Sequence, residues 1–287
     1  MTRLKGLWHL AGLAAAGGWG CGTEADVDPS MDVAIPFEAV FGAKPFSCRE
    51  TFAAGSGSTA VQPLDFRFYV HDVALTTAGG ERVPVELTAD GVWQRDGIGL
   101  VDLETGDGTC TAGTAATNSV LRGRVPRRSD YLGLSFKVGV PEAMNHLDAA
   151  RAPAPLNEPG LWWSWKGGYK FLRLDVSTPA NPEGFYFHLG ATDCTGTVGA
   201  FQCAKGNIAD VDLPSFVPGE SRVRADLAAF YAGLDVDRVP DRQADFVAGC
   251  MAFTGDPECP AMMGPFGLPF GDAVVPAGTR PFFEVVR

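Results

Sequence analysis

The sequence predicts a mostly β chain, folded as one antiparallel β-sandwich with short helices and long loops. Three observations carry this expectation. Glycine and proline are frequent, 36 and 21 of 287 residues, and are spread along the chain. Short runs of alternating character recur between these turn signals. Stretches with a helical period are few.

Residues 35–41 alternate and predict the first strand. Residues 64–70 (Leu-Asp-Phe-Arg-Phe-Tyr-Val) mix alternation with an apolar end. Residues 83–87 follow the turn Ala78-Gly79-Gly80, and 98–103 form another apolar run. Residues 119–125 and 131–138 predict two further strands. Residues 169–176 alternate cleanly, with Leu172, Leu174 and Val176 on one face and Phe171, Arg173 and Asp175 on the other. Residues 184–189, 208–213 and 282–286 complete the set, a spacing that suits a sandwich or barrel. Helical signals are limited to a turn after Pro141 over 141–147, to 223–234 with Leu227, Phe230, Tyr231 and Leu234, and to 241–250. Residues 254–281 are rich in glycine and proline and read as loops. Neither an internal repeat nor a strong boundary divides residues 35–287.

The first 20 residues read as an export signal. Arg3 and Lys5 precede a short apolar stretch from Leu7 to Ala16, too short to span a bilayer. Gly18-Trp19-Gly20-Cys21 resembles a bacterial lipoprotein signal, so Cys21 is expected to carry a lipid anchor at a membrane. Residues 21–34 then read as an acidic tether. Loss of the leader removes Arg3 and Lys5 and leaves 21 basic against 34 acidic residues, a net charge of −13. That balance argues against a nucleic-acid partner. It suits a periplasmic or outer-membrane-anchored protein.

Six cysteines remain after Cys21. An even number in an exported chain implies disulfides. Cys194/Cys203 and Cys250/Cys259 are each nine residues apart, which leaves Cys48 with Cys110. The competing reading is a thiolate metal site, but no C-x-x-C spacing occurs.

Three of the four tryptophans beyond the leader fall within Leu161-Trp162-Trp163-Ser164-Trp165-Lys166-Gly167-Gly168-Tyr169-Lys170-Phe171. Trp163 and Trp165 are two apart and share a face if the segment is a strand, with Trp162 on the other. Beyond the leader, histidine occurs only at His71, His146 and His188. No pair has helical metal-binding spacing, and no G-x-S-x-G elbow joins a strand to a helix. The aromatic face is therefore a sandwich core, a glycan-binding or adhesion platform, or part of a metal site. Enzymatic turnover is not expected.

Several segments coincide with one pattern. They are Pro63 to Val70, Leu100 to Glu104, Tyr131 to Phe136 with Val138-Gly139-Val140-Pro141, Asn145-His146, Pro155-Leu156-Asn157, Trp163-Ser164-Trp165-Lys166-Gly167-Gly168-Tyr169-Lys170-Phe171, His188-Leu189-Gly190-Ala191-Thr192-Asp193-Cys194 and Gly249-Cys250-Met251. In this order they resemble the metallo-mystery pair four-Cys family, whose best-known member is the P protein of methanobactin gene clusters. The resemblance implies an exported, copper-associated protein. It also implies a partner: a di-haem protein related to cytochrome c peroxidases and MauG that oxidises a tryptophan to kynurenine. An intact indole offers only an N–H donor, whereas kynurenine offers an amine and a carbonyl. Two neutral imidazoles suit Cu(I). The resemblance thus nominates His146 and His188 as copper ligands and Trp165 or Trp163 as the modified residue, with Trp165 slightly preferred. His71 is a candidate third ligand or a surface histidine, and Met144 a candidate soft ligand or a core residue. The sixth and fifth cysteines exceed the family's four and imply one additional local disulfide.

Overall fold

The computed structural model describes residues 29–164, 166–240 and 247–287. The leader, Cys21 and most of the tether lie outside these residues, as do Trp165 and residues 241–246.

Alternation builds the strands. In β1 (Ser30–Phe41), Val33, Ile35, Phe37, Ala39 and Phe41 are buried while the intervening residues are not. The strand starts at Ser30, inside the stretch read as tether, because the same period extends back through Val33 past exposed Asp32. The other principal strands are β2 (Thr59–Thr77), β3 (Ile98–Asp102), β4 (Val120–Pro126), β5 (Tyr131–Val138), β6 (Trp162–Ser164), β7 (Gly168–Ser177), β8 (Phe185–Gly190), β9 (Thr192–Thr195), β10 (Gln202–Lys205), β11 (Ala209–Pro214), β12 (Arg222–Asp226), β13 (Gly249–Cys250) and β14 (Phe283–Val286). The helices are short: α1 (Glu142–Asn145), α2 (Leu227–Tyr231) and α3 (Cys259–Met263).

One sheet runs β14-β12-β1-β4 and ends on the short strand Glu86–Leu87; the other runs β11-β5-β2-β7-β8-β13. Most pairs are antiparallel, as expected, but β1 pairs with β12 and β8 with β13 in parallel. The sheets face each other through aromatic rings. Phe37 of β1 meets Phe68 of β2 and Phe136 of β5 at centroid distances of 5.6 and 5.8 Å, both edge-on. Phe283 of β14 closes on the same two rings. Such edge-to-face pairs add to the burial of their area.

Residues 223–234 are not one helix. Val223 and Ala225 bury one face of β12, and the helix begins only at Leu227. Asp226 marks the boundary as an N-cap, its carboxylate accepting from the Ala229 N–H at 3.2 Å. The 241–250 segment ends as strand β13 rather than helix. The cysteines bond as Cys48–Cys110, Cys194–Cys203 and Cys250–Cys259, the pairs expected from the sequence. Disulfides of this kind persist in an oxidising compartment. No helix among the described residues is long and apolar enough to cross a membrane.

Candidate functional site: an indole–imidazole cleft over a buried ion chain

The outer face of the larger sheet carries the unusual chemistry. Arg67 of β2 pairs in register with Arg173 of β7, which pairs with His188 of β8; Asp65 pairs likewise with Asp175. These side chains point away from the aromatic core, yet Asp65, Arg67 and Asp175 have no exposed surface. The segment after β5 covers them. Tyr69 donates to the Pro155 carbonyl at 3.0 Å and Tyr169 to that of Leu156 at 2.6 Å, which fastens this cover to β2 and β7.

Beneath the cover the charges form a chain. Glu158 lies 3.2 Å from Arg67 Nη1. Arg67 grips Asp65 with two bonds of 2.9 and 2.6 Å. Arg173 reaches Asp65 at 3.1 Å and Asp175 at 2.6 Å. Asp175 Oδ1 sits 2.9 Å from His188 Nε2. Burial pushes the Asp175 carboxyl up, but His188 and Arg173 outweigh it and hold the group below the ordinary carboxylate range. Burial lowers His188, against the pull of Asp175, so its imidazole is neutral near pH 7.

An ionised Asp175 can only accept, so the His188 proton resides on Nε2. Nδ1 is then the lone-pair nitrogen. It is buried and has no hydrogen-bond partner among the described residues. A carboxylate that fixes the tautomer of a histidine and leaves the other nitrogen bare is the arrangement found behind metal-ligating imidazoles.

Trp163 lies over this histidine, with ring centroids 6.4 Å apart. Phe253 flanks the indole on another side at 5.5 Å. The Trp163 Nε1 is likewise buried without a partner. Gly190, just beyond His188, lets the indole approach: a Cβ there would meet Trp163 Cζ3 at 2.5 Å. The half-buried indole lines a cleft of about 360 Å³ with Gly167, Ala191, Thr192, Cys194 and Phe253.

His146 approaches from α1. Asn145 Oδ1 accepts from the Tyr169 N–H at 3.0 Å, which ties the helix to the start of β7. That contact requires Gly168, whose φ is +71° and whose Cβ would come within 2.5 Å of the same oxygen. His146 Nε2 rests 3.3 Å from Cys203 Sγ, while Cys194, the other half of that disulfide, lines the Trp163 cleft. His146 therefore lies beside the disulfide that borders the Trp163 cleft, whereas His188 lies next to the Trp163 ring itself.

His71 stands apart. It lies on β2 opposite Lys137 and Ile98, and no described interaction joins it to His146, His188 or Trp163. Burial lowers its pKa as well. Met144 and Trp162 pack against the hydrophobic core. Sequence reading missed Asp65, Arg67, Arg173, Asp175 and Phe253.

Asp102 of β3 faces Arg67 in register. Burial pushes its pKa up to about 8, aided by Glu104 and Asp65 and opposed by Arg67. The folded protein therefore keeps a proton that the unfolded chain releases near the ordinary carboxyl value of 3.8. This contribution to stability is complete below about pH 4 and is lost as the pH rises through 8. Asp102→Asn keeps an acceptor for the Glu104 N–H, now 3.2 Å away. Relative to wild type, its unfolding free energy in urea should climb between about pH 4 and pH 8, by at most about 1.4 kcal/mol per pH unit, and level off above that. Parallel pH profiles would refute the assignment.

Fold and site together define a disulfide-braced β-sandwich whose larger sheet presents an indole–imidazole pair beside an open cleft. The family model for MbnP matches residues 30–252, and the chain belongs to the MbnP family. The structure is similar to MbnP from Methylosinus trichosporium, with a TM-score of 0.78 and 28% identity, over 89% of this chain and 98% of that one. None of the curated proteins compared matches the chain. Every residue of the cleft named above except Phe253 falls inside the matched span.

Proposed function

We propose that the protein is an extracytoplasmic copper-binding protein of copper acquisition or homeostasis, held at a membrane through Cys21. In this reading Trp163 is oxidised to kynurenine by a di-haem partner of the cytochrome c peroxidase/MauG type. His188 and His146 then supply imidazole nitrogens to copper.

The observation that carries the reading is His188 itself. Its tautomer is set by Asp175, its charge is suppressed by burial, and its bare Nδ1 is buried on a ring that lies next to an oxidisable indole. A neutral imidazole is the form that ligates copper, so the residues present fit the ion. Copper would supply a soft cation for these nitrogens and for the amine or carbonyl of kynurenine. Oxidation cleaves the indole C2–C3 bond with addition of two oxygen atoms from the partner's oxidant. Water then releases the formyl carbon as formate, and the residue has gained one oxygen and lost one carbon. A sugar platform would need an open indole face; Trp163 is half-buried, with Phe253 against it.

Co-expression with the di-haem partner tests this. The peptide spanning residues 161–173 should show the mass of one added oxygen and one lost carbon, with fragment ions placing it on Trp163. Trp163→Phe should lose the change. An unmodified peptide, or modification that persists in Trp163→Phe, would overturn the choice of residue.

A further inference from the structure

The Cys194–Cys203 disulfide lies where a metal centre would form if it were opened. We propose that reduction of this disulfide creates a second, thiol-gated site for a thiophilic d10 cation, built from Cys194, Cys203 and His146.

Geometry supports the donor set. His146 Nε2 and the two sulfurs all lie within 4.8 Å of one another. Bonds of about 2.3 Å to sulfur and 2.0–2.1 Å to nitrogen put donors around one ion about 3.5–4 Å apart. The N–S spacing of 3.3 Å is already close to that, so only the two sulfurs must separate. They can do so because they face each other across β9–β10, a two-stranded hairpin outside both sheets. The Phe201 ring, 5.1 Å from that of His146, covers the imidazole on the hairpin side.

Accessibility selects this disulfide over the other two. Cys203 is half-exposed, whereas Cys48, Cys110, Cys250 and Cys259 are buried. A thiolate can attack only a sulfur that it can reach. The second cluster of potential donors, Cys250, Asp256 and Cys259, is buried throughout and offers no such access.

The gating step balances with a dithiol as reductant. One dithiol sulfur attacks Cys203, the S–S bond breaks, and the dithiol closes on itself as a disulfide. Two electrons and two protons end on the sulfurs of Cys194 and Cys203. Cation binding then releases both protons to water.

Cadmium(II) is a redox-inert probe. The full chain is treated anaerobically with dithiothreitol, the newly free cysteines are mapped by alkylation and mass spectrometry, and Cd(II) is titrated by equilibrium dialysis and ultraviolet absorption. The reduced chain should expose Cys194 and Cys203 alone and bind one more Cd(II) than the oxidised chain, with a thiolate-to-cadmium band. That band should vanish in Cys194→Ser/Cys203→Ser. In His146→Ala the affinity should fall at least about tenfold, whereas His188→Ala should leave it unchanged, which separates this site from the copper reading above. The proposal fails if the dithiol opens another disulfide first, if no additional Cd(II) binds, or if His146→Ala binds as tightly as wild type. Should the double serine variant not fold, the His146→Ala comparison decides alone.

Discussion

Arg67→Met should cost the protein about 3–5 kcal/mol of stability, the scale measured when one partner of a buried ion pair is removed. Arg67 has no exposed surface and holds Asp65 through two short bonds and Glu158 through a third contact. Methionine approximates the length of the chain but leaves Asp65 with Arg173 alone. Glu158 is three-quarters buried and would lose its contact with the guanidinium. Asp102 would lose the cation beside it, so its proton would be held more tightly still. Chemical denaturation checks this directly. A change below about 1 kcal/mol would mean that the cover over this face opens and lets water replace the guanidinium.

The second large effect concerns copper. His188→Ala should abolish tight Cu(I) binding, because it removes the buried, unpartnered nitrogen beside Trp163. Asp175→Asn should retain some binding but weaken it about 10–100-fold, the range for groups that orient a ligand without touching the metal. An amide can present its NH₂ to Nε2 as readily as its oxygen, and then the proton moves to Nδ1 and blocks the donor. Competition against a chromophoric Cu(I) chelator measures both. Unchanged affinity in His188→Ala would remove this histidine from the site, and unchanged affinity in Asp175→Asn would show that burial alone sets its tautomer.

Much of the fold was legible because strand alternation is a direct consequence of burying one face. Residues 131–138 and the neighbouring runs emerged at or near their observed bounds. Residues 223–234 were harder, since Val223 and Ala225 obey a period of two and Leu227 to Tyr231 a period of 3.6. Asp226, a good capping residue between the two patterns, was the available signal. The site was legible only in part. His188 and Trp163 stand out by their rarity and neighbours. Asp175 and Arg67 do not, because alternation tells which residues leave the core and not whether something else covers them. A subtler cue existed: Asp65-Phe66-Arg67 and Arg173-Leu174-Asp175 are mirror patterns, and antiparallel pairing sets Arg67 opposite Arg173 and Asp65 opposite Asp175, so the opposite charges meet within each strand and across the diagonal. The cover itself was invisible because residues 139–161 have little regular structure to predict.

The parallel pairing of β1 with β12 has a consequence for how the chain matures. Glu38 on β1 bonds Arg224, 186 residues later, and β12 in turn pairs with β14, about 60 residues further on. The sheet that holds β1 therefore closes only when segments 186 residues apart have met. Contacts so distant in sequence make folding slow. A chain cut short before residue 283 would keep the outer edge of β12 open, a template for pairing with other molecules. β14 thus acts as the guard of the parallel pair, filling the position at which another molecule could add a strand.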